Sequence, residues 1–383
     1  MNSRTIGAGT ARAQWTLAVP ALRASAGPFL LSRALVLVAV LAARLFTSAF
    51  NLGAAAQHAS GAGLLSWDAS WYRRIAAGGY AGLGEGALRF FPLLPVLARS
   101  FRAIPTMSAG LGVIFVANLA TLAAFVALYR LVVFELGDES CARRAIWLLA
   151  LAPPATVLVM GYADSLLLAT SLVAFLGFRQ RRYGLAICAG FLAGLCRPVG
   201  LLLAVPAAIE MAANWYSLSG RERVGAAATV LAAPAGAAAY LGWVGVVFGS
   251  FWLPLREQLS LSHRGAFADP FITLARDIGY LFKGEHLGVA EHVLWAFLFV
   301  ALAVYLLLRL PASYGWYAVA VLVVVLSASN LASLERYGLG CFPFVIAGAM
   351  LTSHKRTYRA VLALSGALLA TFAMCTFLGI YVP

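Results

Sequence analysis

The run Ser66-Trp67-Asp68-Ala69-Ser70-Trp71-Tyr72-Arg73-Arg74-Ile75-Ala76 sets one carboxylate among two tryptophans, a tyrosine and two arginines. A carboxylate so placed can take the proton from a hydroxyl while its oxygen attacks, which is general-base chemistry. A second reading of Asp68 stands beside the first. Asp favours the position that caps a helix N-terminus, here a short interfacial helix from Asp68 to about Ala77. The two readings pull against each other, because a helix N-terminus stabilises the anion and so weakens it as a base. Trp71 and Tyr72 follow three and four residues on and share the face of Asp68. They read either as substrate contacts with Trp67 or as anchors in the headgroup zone. Gly78-Gly79-Tyr80 ends this helix, and Arg89-Phe90-Phe91-Pro92-Leu93-Leu94-Pro95 is apolar enough to return to the interface.

Three arginines lie on Asp68's side of the chain in the topology below: Arg197, Arg264 and Arg336. Arg197 precedes Pro198 at the end of an apolar run, where it reads equally as a snorkelling side chain. Arg264 lies in Ser262-His263-Arg264-Gly265 and reads equally as a solvated charge. Arg336 stands between Glu335 and Tyr337 in a short polar turn. Asp164 follows Pro153 and Pro154; it either caps the helix that starts at Ser165 or serves the site, by holding a substrate hydroxyl or by supporting the residues around it. His58, His286 and His292 lack metal-ligand spacing, and His354 stands among basic residues, so no zinc site is expected. Asp269 and Asp277 could hold a divalent ion, but solvated loop carboxylates are the simpler reading. Glu135, Asp138 and Glu139 read as a solvated connection. Neither a Walker A loop nor a Rossmann fingerprint is present, and five cysteines without a CxxC pair make no zinc or disulfide framework. No cofactor is expected.

The elements that must position these groups are apolar. Hydrophobic residues make up 62% of the 383, and charged residues only 11%, against about 25% in soluble domains. Continuous apolar runs approach the roughly 20 residues that span a bilayer. Only helices and closed barrels satisfy their backbone in lipid, and these runs do not alternate like strands. The expectation is an all-α polytopic membrane protein forming a single domain. About eleven helices are read near 29–50, 110–134, 145–160, 165–178, 184–196, 199–215, 226–248, 291–309, 315–331, 338–352 and 360–381. The first span reads as retained, because no cleavable signal is evident.

The net charge is +14, and Lys283 and Lys355 are the only lysines. The arginines gather at span ends, which suits topology and anionic lipid better than nucleic acid. Arg4, Arg12, Arg23 and Arg33 precede the first span. Arg143 and Arg144, then Arg179, Arg181 and Arg182, then Arg221 and Arg223, then Lys355, Arg356 and Arg359 fall on the same side if the spans alternate. By the positive-inside rule that side, with segment 1–28, is cytoplasmic. The opposite side receives two long segments, 51–109 and 249–290. It also carries Asp68, Glu85, Asp164, His263, Asp269, Asp277, Glu285 and His286. Loops of that length usually have a function. The glycine pairs Gly190/Gly194 and Gly245/Gly249 permit close helix packing. Alanine-rich composition with Arg over Lys suggests a bacterial source, hence the inner membrane.

Trp67-Asp68-x-x-Trp71-Tyr72-x-x-Ile75-Ala76-x-x-Gly79-Tyr80, followed by Phe90-Phe91-Pro92-Leu93-x-Pro95, resembles the signature of the PIG-V-type mannosyltransferases. Tyr162-Ala163-Asp164-Ser165, Arg197-Pro198-Val199-Gly200 and Arg336-Tyr337 with Phe342-Pro343 are similar to further family motifs. The match spreads over residues 29 to 345, and the first motif is its most specific part. Family members often carry Glu where Asp164 stands, which puts the role of that position in doubt. The resemblance implies a GT-C-type glycosyltransferase fold with interfacial helices in the first outer loop. It implies a polyprenyl-phosphate sugar donor, mannose in this family, and an inverting transfer to a hydroxyl of a glycolipid, glycan or protein. It also implies Asp68 as the base, with Trp67, Trp71, Tyr72, Asp164, Arg197, Arg264, Arg336 and Tyr337 around the substrate. A lipid transporter or flippase is the competing expectation. It fits less well, since transporters place polar residues near the midplane in repeated halves. A non-catalytic subunit that binds glycolipid is a third.

Overall fold

The computed structural model describes residues 18–260, 265–284 and 292–383. Arg4, Arg12, His263, Arg264, Glu285 and His286 lie outside the described residues. Among the described residues the fold is all-helical, without strands; one isolated bridge joins Phe267 to Ala328.

The chain opens with α1 (Ala18–Ala49), then α2 (Ala54–Ala62), α3 (Asp68–Gly78) and α4 (Leu93–Ser100). Next come α5 (Ala109–Leu136), α6 (Glu139–Ala150), α7 (Asp164–Arg179), α8 (Tyr183–Gly194) and α9 (Ala204–Asn214). Then follow α10 (Gly220–Phe248), α11 (Leu253–Gln258), α12 (Pro270–Lys283), α13 (His292–Arg309) and α14 (Ala312–Leu326). Last are α15 (Leu334–Gly340), α16 (Pro343–Leu351) and α17 (Lys355–Phe377).

Among the described residues six helical stretches are long and apolar enough to cross a membrane: α1, α5, Pro198–Ser217 around α9, α10, α13 and α17. Counting α15 and α16 together, bent by 84°, gives seven. The expected helix at 145–160 ends at Ala150, and Pro153–Leu158 forms a 3-10 turn. Paired prolines cannot supply the amide hydrogens that a continuing α-helix needs. The expected helix at 338–352 is two pieces for a similar reason, with Pro343 opening the second. Residues 315–331 form helix only to Leu326. The first helix starts eleven residues before the expected Phe29 and runs through Pro28. Arg33 therefore lies within it and does not precede it. Its Nε donates to Asn118 Oδ1 at 2.9 Å and its Nη2 to the Leu158 carbonyl at 2.9 Å.

Helix α5 is the axis. Val113, Ala117, Ala124, Phe125 and Leu128 are fully buried along it. Ser108 caps its start by accepting from the Leu111 amide, and Gly137, at φ +66°, closes its end. Helices α8 and α10 lie in near contact. A Cβ on Gly194 would stand 2.1 Å from the Ala233 carbonyl oxygen. Gly190 and Gly194 are thus a packing pair, whereas Gly249 terminates α10 at φ +85°. Exposed Leu37, Leu41 and Leu45 on α1 and Leu294, Phe297 and Leu308 on α13 face outward, as lipid contact requires.

The two ends of α5 carry different polar clusters, roughly 40 Å apart at 1.5 Å per residue. At the far end Arg179 makes paired bonds to Glu135 (2.6 and 3.0 Å) and to Glu210 (both 2.8 Å). Ser313 and Tyr314 donate to the same two carboxylates at 2.6 and 3.0 Å. Glu135 is therefore a buried clamp between α5, α7, α9 and α14, not a solvated connection. Asp138 caps α6 by accepting from the Ser140 and Cys141 amides. At the near end Arg73 of α3 lies against Gly110, and the candidate site is built there.

Candidate active site

The segment before α3 sets the carboxylate. Trp67 takes φ +55°, a region that L side chains rarely occupy. Its indole Nε1 donates to the Thr376 carbonyl at 3.1 Å, at the end of α17. Asp68 then opens α3 without capping it; no side chain caps this helix. The N-cap reading of Asp68 fails because the carboxylate turns away from its own helix. The Asp68 amide instead donates to the Tyr162 hydroxyl at 3.3 Å.

The carboxylate meets Arg336, carried by α15 beyond its left-handed first neighbour Ser333 (φ +62°). Arg336 Nη1 donates to Asp68 Oδ2 at 2.9 Å. Its Nε and Nη2 bind the two oxygens of Asp164 at 3.0 and 2.7 Å, a bidentate pair. Nη1 also reaches the Pro383 carbonyl at 3.0 Å, and the guanidinium lies 4.5 Å from the Tyr162 ring centre. Arg197 donates to Asp164 Oδ1 and lies 4.9 Å from the Tyr337 ring centre. Asp164 does not cap α7 either; both its oxygens serve the two arginines. Positions as distant in sequence as Asp68 and Arg336 thus form one network of two carboxylates and two guanidiniums. Exposure separates the acids: the Asp68 side chain is 28% exposed and that of Asp164 5%. Asp68 is thus the accessible acid of the pair.

The aromatic wall comes from α3 and the segment before α4. Trp71 stacks on Phe90 with ring centres 5.7 Å apart, and Tyr72 meets Phe90 edge-on at 5.2 Å. Tyr72 is fully buried. Burial pushes its phenol well above the ordinary value, against the pull of Arg197, so it serves as a neutral hydroxyl.

Of the expected residues, Trp67, Asp68, Trp71, Tyr72, Asp164, Arg197, Arg336 and Tyr337 converge. Arg264 lies outside the described residues. Glu335, next to Arg336, points the other way: it accepts from the Tyr381 hydroxyl and pairs with His292 Nδ1 at 2.9 Å. Sequence reasoning passed over His292, Glu335 and Tyr381 as a unit. Their signal was an ionisable pair at the edges of apolar helices, which membrane proteins rarely keep without use. It also passed over Tyr162 and Arg89 as site residues, although both lie inside motifs it quoted. Asp269 and Asp277 do not converge. Asp269 caps α12 by accepting from the Phe271 and Ile272 amides, and Asp277, fully buried and not a solvated loop carboxylate, pairs with Arg276 at 2.9 Å. Among the described residues no three His, Cys, Asp or Glu side chains gather as metal ligands.

Chemically, the network offers one reachable carboxylate held by a buried arginine beside an aromatic wall. No model of a known protein family matches the chain, and no curated protein does.

Proposed function

We propose that the chain is an inverting glycosyltransferase of the GT-C type in the bacterial inner membrane. It moves a sugar, mannose by the resemblance of its first motif, from a polyprenyl-phosphate donor to an acceptor hydroxyl on the outer face. The observation that carries this reading is the bridge from Arg336 to both Asp68 and Asp164. It unites three motifs that the resemblance ties to one active site and leaves Asp68 as the exposed member.

The chemistry follows in one displacement. Asp68 accepts the hydroxyl proton through Oδ1, which has no partner among the described residues, while Oδ2 stays on Arg336. The acceptor oxygen forms its bond to the anomeric carbon from the face opposite the phosphate. The carbon–oxygen bond to the phosphate breaks, and polyprenyl phosphate leaves with the electron pair. Asp164 holds Arg336 and Arg197 in place and touches no substrate. The basic connections at the Arg179 end face the cytoplasm under the positive-inside rule, which puts Asp68 outside, at headgroup depth, where a lipid-linked donor arrives.

The experiment that tests the donor class gives purified protein in lipid nanodiscs labelled mannose on polyprenyl phosphate, other sugars on the same carrier, and mannose as a nucleotide sugar. Acceptor labelling is expected from a polyprenyl-phosphate sugar and none from the nucleotide sugar. The reverse pattern would remove the reading.

A further inference from the structure

The two arginines of the network are already committed. Arg336 spends its donors on Asp68, Asp164 and the Pro383 carbonyl, and Arg197 pairs with Asp164, so the four charges cancel. A donor phosphate brings negative charge that this balanced set does not neutralise. The site needs another cation, close to Asp68 and not itself paired.

Arg89 meets that description. It ends the 3-10 turn Glu85–Arg89 that leads into α4. Its Nε is buried with no hydrogen-bond partner among the described residues, and it forms no ion pair among them. Its guanidinium lies 4.6 Å from the Phe90 ring centre, and Phe90 stacks on Trp71 and abuts Tyr72. The stack fixes Arg89 to the helix that carries Asp68. Asp68 is the acid that acts most strongly on it; Arg336 opposes, and Glu257 of α11 contributes less. Leaving a partly buried guanidinium unpaired is costly, and an arriving anion removes that cost.

The neighbouring arginines are placed differently. Arg102 donates to the Ala77 carbonyl at 2.7 Å, and Arg256 pairs with Glu85 on the open surface. Arg74 lies 4.7 Å from the Trp71 ring, adding a second positive charge to the same stacked pair. The surroundings also point to the kind of anion. Helix α4 begins four residues after Arg89 and buries Leu93, Leu94 and Ala98 while exposing Val96 and Leu97. A charged head beside an exposed aliphatic ridge suits a phosphate that carries a hydrocarbon tail.

We infer that Arg89 is the phosphate-binding residue for the polyprenyl-phosphate group, gripping the donor before transfer and the lipid phosphate after it. This rests on the glycosyltransferase reading and adds a residue to it. Aromatic stacking leaves the edge of a guanidinium free for paired bonds to phosphate oxygens, which is the geometry the role requires.

The test is direct binding of a short-chain polyprenyl phosphate to the full chain in phosphatidylcholine nanodiscs, with no sugar present. Arg89→Gln is expected to weaken binding about ten- to hundredfold, the range of one lost charge-assisted contact. Arg89→Lys should recover part of it. In transfer assays Arg89→Gln should raise the donor KM more than it lowers kcat. Wild-type binding by Arg89→Gln, with transfer intact in the parent, overturns the assignment of Arg89 and leaves the glycosyltransferase reading standing. An equal loss of affinity for phosphatidylglycerol makes Arg89 a general lipid contact and overturns it as well. Failure of the wild-type protein both to bind polyprenyl phosphate and to use it as a donor overturns the two together. Arg89→Lys and thermal unfolding keep the comparison decisive if Arg89→Gln folds poorly.

Discussion

Asp68→Asn is expected to fold, to bind the lipid-linked donor and to transfer sugar about a hundred- to ten-thousandfold more slowly than the wild type, the range that a positioned base contributes. Folding should survive because Asn keeps the shape of Asp, and Arg336 keeps its bidentate pair with Asp164. The carboxylate is 28% exposed, so the amide that replaces it is not stranded in the core. What Asn lacks is the capacity to take a proton from an incoming hydroxyl. Loss in kcat with little change in donor KM would locate the defect in the chemical step. Transfer at the wild-type rate by a folded Asp68→Asn protein would remove Asp68 from the reaction.

The second large effect concerns stability. Arg336 is 5% exposed and ties α3, α7 and the segment at Pro383 together. Arg336→Ala leaves Asp164, itself 5% exposed, with Arg197 alone, and removes the partner of Asp68. Removing one member of a buried ion pair typically costs about 3–5 kcal/mol, because the remaining charge stays buried without compensation. Thermal unfolding in detergent should show a large drop, with activity lost in parallel. Arg336→Lys should not rescue it, since an ammonium cannot reproduce the bidentate grip on Asp164. The exposed pair of Arg256 and Glu85, 70% and 54% exposed, is the control. Arg256→Ala should cost no more than about 1 kcal/mol. If Arg336→Ala unfolds at the wild-type temperature, the network is not what holds these helices.

The helical membrane character was legible because composition leaves no alternative: with so little charge, the surface must face lipid. The break at Pro153 and Pro154 and the turn at Gly79 were present in residue types, yet the prolines were read through as helix. Hydrophobic runs report where a chain is apolar and not where it bends; among the described residues six stretches, or seven with the bent pair, have spanning length. The site was half legible. Asp68, Asp164, Arg197 and Arg336 stood out as ionisable residues at the ends of apolar runs. Their pairing did not, because Asp68 and Arg336 meet only once α15 packs near α3. The capping readings of Asp68 and Asp164 failed for that same reason: a local hydrogen bond is what the sequence displays, and a distant guanidinium outcompetes it. Glu135 read as solvated because its partners Arg179 and Tyr314 come from other helices. Arg89 passed unnoticed because it pairs with no acid among the described residues, and a missing partner leaves no mark in the sequence.

The most direct measurement is the fate of a doubly labelled donor, with one isotope on the sugar and another on the polyprenyl phosphate, supplied to wild-type protein in sealed proteoliposomes. The expected result is that the labels separate, with the sugar joined to the acceptor in the configuration opposite to that of the donor and the polyprenyl phosphate left in the membrane. Both labels crossing the bilayer together, with the sugar–phosphate bond intact, would contradict transfer and mark the protein as a transporter.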